Sequence, residues 1–586
     1  METDASPLDA AVGGAAALSP MSTLKHVPSA FARATLSLPA AHAARRLRAT
    51  TRELCGMVCV LVATLLAGAP SAQAQGTFDL VAEQARALAA QPYRAPAKVL
   101  PAELAALKYD GHRDIRFKPE RALWRKDGLP FEVMFFHPGW LFDAPVRIHE
   151  VTPQGSRELT VAADDFDYGR NKLNPSSWPK LGFAGFRVHY PLNSDKYKDE
   201  LVVFLGASYF RALGQGQRYG LSARGMALDT VDRSNRPEGV QYTGEEFPRF
   251  SQFWLEKPAA GADRLTIHAL LESPRATGAY TFVIVPGEST VMEVRSRIFL
   301  RAGVTTLGLA PLTSMFLHGE NQQDAGDFRP EVHDSDGLQV LTGDGEWIWR
   351  PVINPHFARP RGTITTSFST TNPRGFGLMQ RDRAFLRYED LEARYELRPS
   401  AWIEPIGQWG AGRVELVQLP TDEEIHDNIV AYWKPDVMPA AGQPFEIAYR
   451  LSWQKAREAR APSSWVTQTR RGRSYGRLAA GEEKFVIDFA GPGLDALPAD
   501  ATVEPVVDVG PNAKVLEAVA YRNDAVGGWR LTLRVQRTDL PAYATNTASA
   551  DFTVPSTQPA PLELRAFLRH QKDTVSETWT YLHPTH

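Results

Sequence analysis

Cysteine is almost missing from this chain of 586 residues. Cys55 and Cys59 are the whole complement, and both fall in the first 75 residues. If that stretch is removed, disulfides, thiolate catalysis, zinc–thiolate sites and iron–sulfur clusters are excluded together. No His-Glu-x-x-His occurs, and His333 and His426 lack partners at ligand spacing, so neither a metal nor a cofactor is expected. Ser222 and Ser314 have no nucleophile-elbow context, which argues against a serine hydrolase. Net charge is scarce too: the formal value is -2, and no dense basic run offers a footprint for nucleic acid. Gly214, Gly216 and Gly220 only superficially resemble a nucleotide fingerprint, because the third glycine is misplaced and no βαβ pattern surrounds it.

What the N-terminus does have is the layout of an export signal. Arg45, Arg46, Arg48 and Arg52 precede an apolar run from Met57 to Ala67, too short for a stable membrane-spanning helix. Ala72-Gln73-Ala74 then supplies a small-x-small cleavage pattern. Residues 1–74 are therefore expected to be a targeting segment, with Gln75 as the mature N-terminus and the periplasm as destination. The long Ala-rich stretch ahead of Arg45 fits a start at Met21 or later. Leu47-Arg48-Ala49 continues a twin-arginine signal poorly, which favours the general secretory route. Cleavage would leave 59 Lys and Arg against 63 Asp and Glu, a mildly acidic body suited to a neutral ligand.

After residue 75 the pattern is first helical. Phe78, Leu80, Val81, Ala85 and Leu88 recur near the helical period within 78–108, with a second turn at Pro101–Leu107. Short strand patterns then follow one another, at Phe131–Phe136, Val146–Val151, Arg187–Tyr190, Leu265–Leu270, Tyr280–Val285 and Val291–Ile298. Their alternation predicts antiparallel sheets with one face in a core and one in water. An all-β fold follows, with a large β-sandwich over residues 75–455. Residues 456–474 are polar and read as a linker. Six or seven evenly spaced strands beyond, from Phe485 to Leu582, fit a small immunoglobulin-like sandwich over 475–586.

The chemistry concentrates between His333 and Trp433. His333-Asp334-Ser335-Asp336-Gly337 opens this stretch, and Thr421-Asp422-Glu423-Glu424-Ile425-His426-Asp427-Asn428 closes it. Trp347, Trp349, Tyr388, Tyr395, Trp402, Trp409, Tyr432 and Trp433 lie between and beside them. Paired carboxylates flanked by aromatic faces suit glycoside hydrolysis, where one carboxyl protonates the leaving oxygen and another activates water. The same residues also fit Asx turns and core tryptophans, and spacing leaves both readings open.

Longer blocks carry a family resemblance. Leu205-Gly206-Ala207-Ser208-Tyr209-Phe210-Arg211, Tyr219-Gly220-Leu221-Ser222-Ala223-Arg224-Gly225 and Glu272-Ser273-Pro274-Arg275-Ala276-Thr277-Gly278 resemble the periplasmic glucan biosynthesis proteins G and D. So do Gly345-Glu346-Trp347-Ile348-Trp349-Arg350-Pro351, Leu397-Arg398-Pro399-Ser400-Ala401-Trp402 and Asp427-Asn428-Ile429-Val430-Ala431-Tyr432-Trp433. The likeness runs from residue 77 to Ser576-Glu577-Thr578-Trp579, and the leader favours the G-like branch.

The resemblance implies a galactose-mutarotase-like sandwich followed by an immunoglobulin-like one, and a part in making osmoregulated periplasmic glucans. It implies β-1,2-glucan as ligand, an inverting β-1,2-glucanase as activity, and the membrane glucan synthase machinery as a partner. Asp427 matches the family's general acid and Asp334 its general base, reached by a relay through a substrate hydroxyl and water. Glu424 matches a supporting acid, whereas relatives can carry Asn at Asp336 and Asp422. On this reading Trp347, Trp402 and Trp433 hold glucose rings while Arg398 and Asn428 bond hydroxyls. A non-catalytic glucan scaffold and a transglycosylase stay open as alternatives, as does a dimer. Two loops, Asp232–Gly239 and Arg359–Thr363, depart from the family pattern.

Overall fold

The computed structural model describes residues 72–98, 100–230, 244–358, 361–455, 458–473, 476–539 and 560–584. The charged and apolar parts of the leader, both cysteines, the loop Asp232–Gly239 and Arg359-Pro360 lie outside the described residues. The chain from Leu80 onward belongs to one compact unit. Among the described residues no helix is long and apolar enough to cross a membrane.

The helical pattern of 78–108 resolves into a helix and, as expected, a separate turn after Pro101. The first helix is Ala72–Ala89, and Pro92 and Pro96 follow it, which a helix cannot absorb. Only single turns come next, Ala102–Ala105 after the N-cap Pro101, and Tyr109–Arg113. From there the chain is all-β. One sheet has ten strands and a second has fifteen, and a smaller one has four.

The fifteen-stranded sheet contains an antiparallel run of neighbours: Arg249–Glu256, Leu265–Glu272, Ala276–Val285, Thr290–Leu300 and Pro444–Gln454. Thr290–Leu300 alternates as its sequence predicts. Leu265–Glu272 does not, being buried at every position except Thr266 and Glu272. Its neighbour Ala276–Val285 is buried on both faces as far as Phe282 and touches the first helix near its start. Thr277 donates its hydroxyl to the Ala85 carbonyl at 2.8 Å. Between the large sheets the core is strongly aromatic. Phe204 meets Phe186, Phe210, Phe253 and Phe282 with centroids 5.1–5.5 Å apart.

The ten-stranded sheet matters most for the site. Its strand Leu307–Ser314 is wholly buried between Ser222–Arg224 and Ile429–Pro435. The register slips between Leu309 and Leu312, where Ala310 takes φ 47° and Pro311 offers no N–H.

The segment 456–474, expected as a linker, holds the strand Trp465–Arg471, paired along Glu482–Ala490. Its alternation is hidden by a register shift between Val466 and Gln468. The C-terminal strands do not stand apart either. Thr578–His583 pairs in parallel with Trp347–Pro351 at Ile348 and Trp349, so the fifteen-stranded sheet runs through both sandwiches. Trp349, Ile353, Met379 and Trp402 share a hydrophobic core with Phe485, Leu531, Leu564 and Trp579.

Candidate active site

Asp334 sits where the chain passes from a small hairpin into the fifteen-stranded sheet. Phe316–His318 pairs with Val332–His333, and the Asp334 N–H then donates to the Met315 carbonyl at 2.8 Å. Two residues later Asp336 N–H donates to Met379 and the strand Gly337–Leu341 begins. Gly337 is required there, since a Cβ would fall 2.3 Å from the ring of Trp349. Asp427 immediately precedes the strand Ile429–Pro435 of the other large sheet. The two acids are thus delivered by strand ends of different sheets.

Asn428 joins them. Its Oδ1 accepts the Phe316 N–H at 2.8 Å, and its Nδ2 donates to the carbonyls of Phe316 and Leu419. Phe316 in turn faces His333 across the hairpin. Asn428, expected to bond sugar hydroxyls, is buried, with its amide bonded to backbone.

Asp334 is fully buried, and its Oδ1 receives the Arg398 guanidinium while Oδ2 has no partner. Arg398 follows the short helical turn Tyr395–Leu397. Its stem packs on Gly220, where a Cβ would come within 2.8 Å, and its guanidinium lies 4.2 Å over the Tyr395 ring. The remaining guanidinium contacts go to the Ala393 carbonyl. Arg398 therefore serves Asp334 before it could serve a ligand. Glu424 supports the same assembly from behind: it accepts from Arg329 at 2.6 Å and from the Tyr395 hydroxyl at 3.2 Å.

Burial pushes the Asp427 carboxyl above the usual carboxylate range, and the charge of Asp334 adds to this. Arg211, Arg224 and Arg398 pull the other way. The like charge facing the acid is thus Asp334, while Glu424 turns to Arg329. Arg211 and Arg224 project from the adjacent strands Tyr209–Ala212 and Ser222–Arg224. Arg211 donates Nε to Ser222 at 2.8 Å, and Arg224 pairs with Glu245 at 3.0 Å between the rings of Tyr209 and Phe247. In the sequence both arginines stand inside longer blocks that carry the family resemblance. The signal was a cationic side chain on a short strand otherwise too apolar for the surface.

Of the three tryptophans expected to hold glucose rings, Trp402 and Trp433 are buried and Trp347 is half-buried. Trp433 is 1% exposed and packs beside Trp409. Trp402 is buried and stacks on Trp347, centroids 5.7 Å apart, against Gly375 and Gly377, which leave room for its ring. Trp347 pairs with Leu341, the far end of the strand from Gly337, ~13 Å along at ~3.3 Å per residue. Trp402 belongs to the core shared with the C-terminal strands, and Trp347 packs against that core.

Behind the Asp334 turn lies an acid cluster the sequence did not reveal. Among the described residues Glu320, Glu331 and Asp382 bring carboxylate oxygens within 4.8 Å of one another. Arg387 stands 3.7–4.0 Å from each of them, so a guanidinium already supplies positive charge where a cation would sit. His333 bridges Glu331 and Gln380 at 2.8 Å. Burial alone would lower its pKa, but Glu331 and Asp336 raise it above the ordinary histidine value. Burial and then Glu331 push Asp382 up to about 7.

Fold and site together define an all-β protein with two inward-facing aspartates at the meeting of two sheets. Residues 77–583 match the family model described as periplasmic glucan biosynthesis protein, MdoG. The chain belongs to that family. It is 53% identical over 526 residues to a protein of Ralstonia nicotianae named Glucans biosynthesis protein G, covering 89% of this chain and 98% of that one. A Pseudomonas paraeruginosa protein of the same name is 46% identical over 518 residues, covering 87% and 93%. One from Pseudomonas putida is 48% identical over 488 residues, covering 81% and 85%. These names agree with the G-like reading of the sequence. A solved structure of a Streptococcus gordonii adhesin domain aligns over 58% of this chain and 84% of that one, at 7% identity and TM-score 0.13, and carries no argument.

Proposed function

We propose that this protein acts in periplasmic glucan biosynthesis as an inverting β-1,2-glucanase, with Asp427 as general acid and Asp334 as general base. The observation that carries this reading is the contrast between the two carboxyls. Asp427 is driven towards its neutral form by burial, while Asp334 is held in an ion pair with Arg398. A carboxyl driven towards its neutral form beside one tied to a guanidinium is an arrangement that suits acid and base roles. The unpartnered Oδ2 of Asp334 gives the reading a second support, since a buried lone oxygen awaits a donor.

In the reaction, Asp427 gives its proton to the glycosidic oxygen as that bond breaks. Water attacks the anomeric carbon from the opposite face and loses its proton, through a hydroxyl of the substrate and a second water, to the free oxygen of Asp334. The products are two shorter glucans, one with inverted configuration at its new reducing end. The large and small sandwiches are read as two domains joined by one continuous sheet, and the periplasm as the place of action.

The test is incubation with linear β-1,2-glucan, alongside Asp427→Asn and Asp334→Asn. Shortened products of inverted configuration are expected from the wild type, with each variant slowed ~10²–10⁴-fold. Rearranged glucan of unchanged mean length would favour a transglycosylase. Binding with no change in the glucan at any pH would leave a scaffold.

A further inference from the structure

Glu577 lies in the C-terminal sandwich, far along the chain from either aspartate, yet its carboxylate is wholly buried and fully engaged. One oxygen accepts Arg381 Nη1 at 2.6 Å and the Val466 N–H at 2.8 Å. The other accepts Arg381 Nη2 at 3.1 Å and Gln339 Nε2 at 3.3 Å. The side chains of Arg381 and Glu577 are 4% and 0% exposed. Arg381 also donates to the Val466 carbonyl at 2.7 Å and lies 3.5 Å over the ring of Trp349, the ring that fits against Gly337.

This hub reaches the aspartate turn by a short path. The peptide N–H groups of Arg381 and Asp382 donate to one oxygen of Asp336, at 2.9 and 3.2 Å. Asp336 is two residues from Asp334, and its own backbone is bonded at both ends, to Met379 and Val352. Gln339, the other ligand of Glu577, stands on the strand that leaves this turn.

We propose that Glu577 is a positioning residue of the catalytic site: through Arg381 and Asp336 it sets the place of Asp334, and the C-terminal sandwich is a working part of that site. The proposal rests on the glucanase reading for its kinetic arm, and on geometry alone for its structural arm. A bidentate, desolvated Arg–carboxylate pair holds its partners in one arrangement. An error of about 1 Å at a reacting group lowers rate by ~10²-fold.

The experiment compares Glu577→Gln with Glu346→Gln in the full chain. Glu346 ties the same two sandwiches through Thr578 (2.6 Å) and Arg565, but at the opposite end of the strand Trp347–Pro351. Glu577→Gln is expected to lower kcat on linear β-1,2-glucan ~10–100-fold with KM within about twofold. Amide hydrogen exchange over 333–337 and 379–383 should rise ~10-fold, while Glu482–Ala490 keeps its protection. Glu346→Gln should leave kcat within about twofold of wild type. Wild-type kcat and exchange in folded Glu577→Gln would overturn the proposal, as would an equal loss in Glu346→Gln, which would mean general loosening. If Glu577→Gln yields no folded protein, Arg381→Lys, which keeps the charge but loses the fork, is read against the same outcomes. Should the wild type leave glucan untouched, the glucanase reading falls. The exchange measurement then still decides whether Glu577 holds the Asp334 turn.

Discussion

The amide of Asn428 closes on both backbone groups of Phe316, accepting its N–H at 2.8 Å and donating to its carbonyl at 3.0 Å. The two residues are 112 positions apart, and this contact is what sets Asp427 beside the hairpin that leads to Asp334. Sequence spacing marks Asn428 as a polar residue next to an acid, but only the fold shows that its partner is backbone.

Asn428→Leu is therefore expected to fail through stability more than through binding. It strands a buried N–H and a buried carbonyl, each costing ~1–3 kcal/mol. Urea denaturation should show a loss of ~2–5 kcal/mol. In whatever folds, KM for glucan should change less than kcat. A raised KM with unchanged stability would return Asn428 to the substrate.

The second prediction concerns pH. A general acid works in its protonated form, so activity should decline as pH rises through the raised pKa of Asp427. Arg211 is the largest of the charges that hold that pKa down. Arg211→Gln removes it, Asp427 keeps its proton to higher pH, and the alkaline limb of kcat should move upward. A pH–rate profile of both proteins is the check. A limb that stays in place, or moves down, would remove Asp427 as the titrating acid.

The legible part of the fold was the strand pattern. Thr290–Leu300 alternates because one face meets the core and the other meets water, and sequence records that directly. Leu265–Glu272 and Ala276–Val285 are covered on both faces, so their positions in the sheet cannot be read from period alone. The two aspartates were found by family likeness, since the turn chemistry of Asp334 and Asp336 was equally good for a plain loop. Arg398, Arg211 and Arg224 act on those aspartates across the fold, and no local pattern announces such pairs. The seats of the tryptophans are hidden for a related reason. A ring seated on glycines across a strand, as Trp402 is on Gly375 and Gly377, depends on register and not on its own neighbours in sequence.

A third prediction separates core from platform. Trp433→Ala empties a fully buried site beside Trp409 and should cost ~3–5 kcal/mol of stability. Glucan affinity in the folded fraction should stay within about twofold. Calorimetric Tm and a binding titration on the same sample give both numbers, and a tenfold weaker titration with unchanged Tm would contradict the placement of Trp433 in the core.

The acid cluster behind the turn gives the last prediction, in stability rather than rate. Asp382 has its carboxyl raised to about 7 by burial, then by Glu331 and Asp336, with Arg387 and His333 opposing. In an unfolded chain the same group titrates near ~3.9. Between these values the folded protein binds a proton that the unfolded chain has released, so stability must fall as pH rises across the window. The contribution is complete below ~4 and lost above about 7. Asp382→Asn removes the titration while keeping shape, so its stability curve should be flatter over that range. Relative to the wild type, the variant should gain little at pH ~4.5 and on the order of 2–4 kcal/mol at pH ~8. Asp382 is one of the charges that raise His333, so the substitution also lets the His333 pKa fall, and the difference between the two curves reports both groups. Urea unfolding at the two pH values measures the difference directly, and a difference that does not change with pH would show that Asp382 is ionised in the folded protein throughout the range.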